Sequence, residues 1–141
     1  MQRTNALIAV CFCAGLLAAL VNSVAAWLGG LWGVTALFGV DMAPEFTRAW
    51  LYPRLVWGGL WGLPYFFTIR YLHLRRCWAR KGLWLSLLPT LAQLLFFFPR
   101  FTEAGWFGLG LGAATPLFVI LYNLVWGFFL GVFARLLWGR G

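Results

Sequence analysis

Among the polar side chains that interrupt the long apolar stretches of this 141-residue chain, five could together bind a polar ligand. They are Asn22, Ser23, Arg54, Gln93 and Asn123. A polar group inside a bilayer is costly, so it usually faces other protein or water. We therefore hold two hypotheses: these side chains line a polar cavity, or they only hydrogen-bond across helices and support packing.

The remaining reactive residues argue against catalysis. No acidic residue lies in an apolar stretch, whereas proton-driven pumps usually rely on buried Asp, Glu or His. No Ser-His-acid set, phosphate-binding loop or pair of neighbouring carboxylates is evident. His73 is the one histidine, and Cys11, Cys13 and Cys77 have no metal-ligand spacing. We predict that the chain is not an enzyme and has no metal, cofactor or structural disulfide.

The composition places the chain in a membrane. Hydrophobic residues make up 63% of it and charged residues 10%, which is more apolar surface than a soluble domain of this length can hide. The net charge of +8 comes from basic residues that flank the apolar stretches, as topology determinants do. We therefore predict the lipid bilayer as a partner and no nucleic acid.

Four apolar stretches have, or nearly have, the roughly 20 residues that a membrane-spanning helix needs. They cover about residues 5–28, 52–72, 83–98 and 116–137. The fold class predicted is an all-α integral membrane protein with four transmembrane helices. The first stretch also resembles a signal peptide with small residues near Ser23, but the repeat described below needs it.

Basic residues set the predicted orientation. With four crossings, eight of them fall on the side of the two termini and of the loop at 73–81, and three fall on the other side. The first group is Arg3, Arg70, Arg75, Arg76, Arg80, Lys81, Arg135 and Arg140; the second is Arg48, Arg54 and Arg100. All three acids, Asp41, Glu45 and Glu103, join the second group. The positive-inside rule then predicts both termini in the cytoplasm and most of the polar side chains in the outer half of the bilayer.

The chain also contains an internal repeat. LYPRLVWGGLWG at 51–62 matches LYNLVWGFFLG at 121–131, with LVWG at an offset of 69 (124 − 55). GLLAALVNSVAAWLG, from Gly15, aligns with GLWLSLLPTLAQLLF, from Gly82, at an offset of 67 (82 − 15). We predict one membrane domain over residues 1–141, made of two tandem helix–connector–helix units at about 5–75 and 78–141. Both units have the same orientation, so this is a parallel repeat.

Each unit carries a pair of glycines spaced by one helical turn. The pairs are Gly58 with Gly62 and Gly127 with Gly131. Small residues let helix backbones approach each other in lipid, so we predict that the second and fourth helices pack together through these glycines. Trp57 and Trp126 match across the repeat and are predicted to fill space around the glycines. An aromatic ligand-binding wall is the alternative.

The stretch GLWLSLLPTLAQLLFFFP, residues 82–99, resembles part of the YagU-like small bacterial inner-membrane proteins. Those proteins show a glycine-led helix that ends near Phe-Pro, and a His-Leu-x-x-Gly-type helix. The histidine position holds Arg54 in one unit here and Asn123 in the other, so the titratable group of that pattern is absent. The resemblance implies a compact four-helix, multi-pass protein of the bacterial inner membrane and transfers no catalytic or ligand-binding residue.

Two functions fit these features. The first is a structural or accessory role, in which the protein packs as a subunit of a larger membrane complex or as a homo-oligomer. The second is a channel or transporter for a small solute or ion, with a cavity open to the outside. Arg54 and Arg100 lie on the outer side of the predicted topology, so an anion is the favoured solute.

Overall fold

The computed structural model of the protein describes residues 2–139, and over this range the chain is helical and has no strands. Three helices are long and apolar enough to cross a membrane: Arg3–Leu31, Trp78–Phe101 and Thr115–Trp138. Arg140, one of the basic residues counted on the terminal side, lies outside the described range. The chain is therefore compatible with an integral membrane protein.

The first long helix, α1, spans Gln2–Leu31 and contains the predicted stretch at 5–28. Its 30 residues correspond to about 45 Å at 1.5 Å per residue, which exceeds the hydrocarbon thickness of a bilayer. Gly33 follows α1 with a φ of 74°, a left-handed conformation that glycine adopts without strain. The chain then continues through the short helix α2 (Val34–Leu37) and an extended segment.

The second predicted stretch, 52–72, does not form one uninterrupted α-helix. It is divided into α3 (Arg48–Gly62), a 3-10 turn (Leu63–Tyr65) and α4 (Phe66–Ile69). Thr47 caps α3, since its hydroxyl accepts a hydrogen bond from the backbone of Trp50 at 3.2 Å. Pro64 has no N–H to donate to the preceding turn, which gives a physical reason for the break after α3.

The third apolar stretch is helical throughout but irregular. It consists of α5 (Trp78–Leu85), α6 (Leu87–Ala92), a π-helical turn (Gln93–Phe97) and α7 (Phe98–Phe101). Pro99 cannot donate the backbone hydrogen bond that a regular α-helix would require, and the π-helical turn lies just before it. The last long helix, α8, spans Thr115–Trp138.

The long elements pack in the order α3, α1, α8, α5. Helix α1 packs on both α3 and α8, and α8 also packs on α5, while α3 and α5 do not pack closely on each other. The two connectors, 32–47 and 102–114, meet at one end, where the Asp41 N–H donates to the Leu111 carbonyl at 2.8 Å. We call this the connector end, and the opposite end, with the loop at 70–77, the terminal end.

The paired glycines lie at helix contacts, but their partners differ from those predicted. Gly58 and Gly62 of α3 lie against Gly15 of α1, and Gly127 and Gly131 of α8 lie against the start of α5. Gly82 meets the backbone of both Gly127 and Gly131. The prediction that the second and fourth helices pack on each other through these glycines is wrong.

Candidate functional site

The five polar side chains named from the sequence come from four different helical elements, and the structure brings them to one level. Asn22 and Ser23 lie on α1, Arg54 on α3, Gln93 in the π-helical turn and Asn123 on α8. We call these five residues the polar cluster. Each lies six to nine residues from the connector end of its helix, which is about 9–14 Å at 1.5 Å per residue.

Arg54 is held from two sides. Its Nε donates a hydrogen bond to the Ser23 hydroxyl at 3.0 Å, and Ser23 is fully buried. Its guanidinium carbon lies 4.7 Å from the ring centroid of Trp50, four residues earlier on the same helix, in a cation–π arrangement. Among residues 2–139, neither terminal nitrogen of Arg54 has a hydrogen-bond partner. A fixed guanidinium with free donors suits an anionic group that offers two oxygens side by side, such as a carboxylate or a phosphate.

The three amide side chains of the cluster are only weakly bound to protein. Asn123 Nδ2 donates to Gln93 Oε1 at 3.5 Å, the long limit for such a bond. Asn22 is 8% exposed, and its Oδ1 is buried without a partner in the described part of the chain. A buried polar atom without a partner costs free energy that a bound water or ligand can recover.

Two cavities meet at the polar cluster. The first, which we call the mouth, has a volume of about 350 Å³ and reaches the connectors at Asp41 and Leu111. The second, which we call the cleft, has a volume of about 300 Å³ and lies between α3 and the third stretch. Asn22, Arg54, Gln93 and Asn123 line both, and the fifth member, Ser23, lies behind Arg54.

The mouth and the cleft differ in chemistry. The mouth adds Asp41, Trp50 and Tyr122 to the shared polar residues. The cleft adds a mostly apolar wall: Pro53, Trp57 and Trp61 from α3, and Pro89, Phe97 and Phe98 from the third stretch. Its floor is formed by α1 and α8, and within residues 2–139 no further helix covers the opening between its two walls.

Below the cluster, two hydrogen bonds join neighbouring helical elements. The buried Trp126 indole donates to the Gly15 carbonyl at 3.1 Å, which ties α8 to α1. The buried Tyr65 hydroxyl donates to the Trp78 carbonyl at 2.7 Å, which ties the 3-10 turn after α3 to α5. Together with the glycine contacts, these bonds close the cavities toward the terminal end.

The matched tryptophans have different environments. Trp126 is 3% exposed and fills the space between α1 and α8, next to Gly58. Trp57 is 48% exposed, and its ring meets Phe97 edge-on with centroids 5.4 Å apart. Trp126 lies on the floor of the cleft and Trp57 on its wall, so Trp126 has a packing position and Trp57 faces the cavity.

Several residues at the site were missed by sequence reasoning. Trp50 and Tyr122 lie beside Arg54 and Asn123, and Phe97 extends the apolar wall. The spacing of four between Trp50 and Arg54 was a readable signal for the cation–π pair. The position of Phe97 depends on the π-helical turn, for which the one local hint is the proline at position 99.

Comparisons with known proteins add no relative, because no family model, curated protein or solved structure matches the chain. The likeness to YagU-like proteins stays a prediction.

Proposed function

We propose that this protein is a small four-pass protein of the bacterial inner membrane that binds an anionic group in the polar cluster, accessible from the outside. The observation that carries the proposal is the convergence of Arg54 with three amide side chains on cavities that are closed at one end. Of the two functions that fit the sequence, this is the channel or transporter for a small solute or ion, and the convergence of these side chains favours it over a purely accessory role.

The four-pass topology is supported by the length of the second helical run. From Arg48 to Ile69 the chain stays helical through α3, the 3-10 turn and α4. Its 22 residues cover about 33 Å, enough for the hydrocarbon core of a bilayer. With four crossings both termini share one side, and the basic residues favour the cytoplasm. The connector end, and with it the mouth, then faces the outside.

The repeat is supported by the glycine contacts. Gly15 meets Gly58 and Gly62, and the residues at offsets of 67 and 69 meet in the same way, Gly82 with Gly127 and Gly131. Each helix–connector–helix unit is therefore a hairpin whose two helices meet at three glycines, and the three positions match between the units. The contact of α1 with α8 joins the two hairpins, while the cleft lies where the matching contact of α3 with α5 is missing.

An anion is the ligand that the charges of the site favour. Arg54 stays protonated at any physiological pH, and no described residue forms a hydrogen bond with its terminal nitrogens. Asp41 also lines the mouth, but it is exposed at the connector end, where water screens its charge. The closed terminal half means that transport to the other side requires the hairpins to move.

Thiol modification tests whether water and anions reach the cluster. Cys11, Cys13 and Cys77 are first replaced by Ala or Ser, and Gln93→Cys is then treated with an anionic methanethiosulfonate added from outside the cell. We expect rapid modification that millimolar phosphate slows. Leu95→Cys is the matched control, since Leu95 is exposed on the same turn but lines neither cavity. Equal, slow modification of both variants would refute the proposal.

An accessory role is the second candidate. It is favoured by α3, which packs along α1 and leaves other residues of its surface, such as Val56 and Leu60, exposed. Another membrane subunit or a second copy of this chain could cover that surface. Native mass spectrometry after gentle detergent extraction separates the two roles, since a fixed stoichiometry with a larger complex supports the accessory one.

A further inference from the structure

We infer that the anionic group bound at Arg54 is the phosphate of a phospholipid, which enters from the bilayer through the cleft. This inference rests on the proposed anion site and names its ligand class. The observation behind it is that the polar mouth and the mostly apolar cleft meet at the polar cluster and share four of its residues as lining. A free solute needs the mouth alone, whereas an amphiphile uses both cavities.

The wall of the cleft on α3 runs along the helix axis, as an acyl chain does in a bilayer. Arg54, Trp57, Gly58 and Trp61 all line the cleft, and their spacing of three and four places them along one face of α3. From Arg54 to Trp61 this face is about 10 Å long at 1.5 Å per residue. An acyl chain that starts at Arg54 can therefore lie against the two indole rings, parallel to the helix axis.

Arg54 lies near the outer end of its span. It is six residues inside α3, or about 9 Å from the first residue of the helix. Because the residues from Arg48 to Ile69 cover about the thickness of the hydrocarbon core, Arg54 lies several ångströms below the ordinary level of lipid phosphates. The polar cluster and the mouth supply the polar surroundings that a phosphate needs at this depth, and the acyl chain below it stays in hydrocarbon.

The contacts of the polar cluster complement a phosphate ester. The free terminal nitrogens of Arg54 can donate two parallel hydrogen bonds to phosphate oxygens. Asn22 lines both cavities on a side chain more than nine-tenths buried, and its unpartnered Oδ1 can accept a bond from a headgroup hydroxyl or ammonium once the amide rotates toward the ligand. The combined volumes of mouth and cleft are in the range of ordinary ligand pockets.

Native mass spectrometry of the full chain with added phosphatidylglycerol tests the headgroup. We expect one retained lipid per chain in the wild type and in Arg48→Gln, and at least a fivefold loss in Arg54→Gln. Arg48 is the matched control, because it is an exposed arginine on the same helix and lines neither cavity. Diacylglycerol with the same acyl chains lacks the phosphate. The wild type should retain it no better than Arg54→Gln retains phosphatidylglycerol.

The position of the acyl chain can be tested on the wild-type protein by crosslinking. Phosphatidylglycerol with a diazirine in one acyl chain should crosslink to Trp57, Trp61 or Phe97, and much less to Val56 and Leu60. An even spread of crosslinks over α3, or equal retention of phosphatidylglycerol by wild type and Arg54→Gln, would overturn the inference.

Glycerol phosphate, which has the anionic group but no chain, separates the inference from the proposal on which it rests. If it slows modification of Gln93→Cys as well as phosphatidylglycerol does, the lipid inference fails and the anion site stands. If anionic reagent reaches Gln93→Cys no faster than Leu95→Cys, the anion site itself fails.

Discussion

Replacing Gly15 by alanine would place a methyl group against the backbone of α3. An ideal Cβ at this position lies 3.0 Å from Gly62 Cα and 3.2 Å from the Gly58 carbonyl carbon, and still closer to the Gly58 oxygen. Every one of these atoms belongs to the backbone of a packed helix. No side-chain rotation can relieve the contact, so the two helices must move apart.

The cost follows from the geometry of the contact. Carbon atoms prefer separations of about 3.5–4.0 Å, so α1 and α3 must separate by about 0.5–1 Å near Gly15. A gap of that size loses a quarter to a half of the dispersion attraction of the atoms that line it. Overpacking of this kind typically costs about 1–3 kcal/mol, and alanine returns about 1 kcal/mol through its higher helix propensity.

Gly59→Ala is the matched control for this substitution. Gly59 is also a buried helical glycine, but the three atoms nearest to its added Cβ belong to the ring of Phe12, a side chain that can rotate. Because both variants gain the same helix propensity, we expect Gly15→Ala to have an unfolding free energy lower than that of Gly59→Ala by about 1–3 kcal/mol. That corresponds to roughly 5–150-fold in the ratio of folded to unfolded protein.

The assay is reversible unfolding in mixed detergent micelles, followed by circular dichroism as the fraction of sodium dodecyl sulfate rises. Gly82→Ala extends the test to the second hairpin, and we expect a loss like that of Gly15→Ala. If Gly15→Ala and Gly59→Ala agree within about 0.5 kcal/mol, the close approach of backbones does not hold this protein together. If only Gly82→Ala is neutral, the two hairpins are not equivalent.

Two further predictions concern the hydrogen bonds around the cavities. Trp126→Phe should lower the unfolding free energy by about 1 kcal/mol in the same assay, since it removes the bond to the Gly15 carbonyl, whereas Trp57→Phe should change it by less than about 0.5 kcal/mol. Arg54→Lys should weaken phosphatidylglycerol retention by about 5–10-fold although the charge is kept, since lysine lacks the planar pair of donors that binds two phosphate oxygens at once. Unchanged retention in Arg54→Lys would mean that charge alone binds the ligand.

The glycine pairs show which part of the helix packing could be predicted from the sequence. Their spacing indicated close helix contacts, and the two alignments even began at Gly15 and Gly82, the residues that prove to be their partners. The sequence nevertheless predicted the wrong helix pair. A one-turn spacing shows which face of a helix is small, but the face it meets depends on how all the helices pack.

For the polar cluster, too, the sequence predicted which residues matter but not how they come together. Asn22, Arg54, Gln93 and Asn123 were named from the sequence because polar residues in apolar stretches are costly. That they line shared cavities depends on four helical elements and on the π-helical turn that carries Gln93. A π-helical turn changes the rotation of every residue after it, and no periodic pattern in the sequence records that change.

By itself, the sequence determined that this chain is apolar and helical, since the bilayer requires long apolar segments with all backbone hydrogen bonds made within them. It also determined which side chains are polar in those segments. The tertiary structure alone decided that α1 packs on α8 while α3 stands apart from α5, and so where a cleft opens. The reason is physical: lipid satisfies any apolar helix surface equally well, so only shape and close contact choose the neighbours.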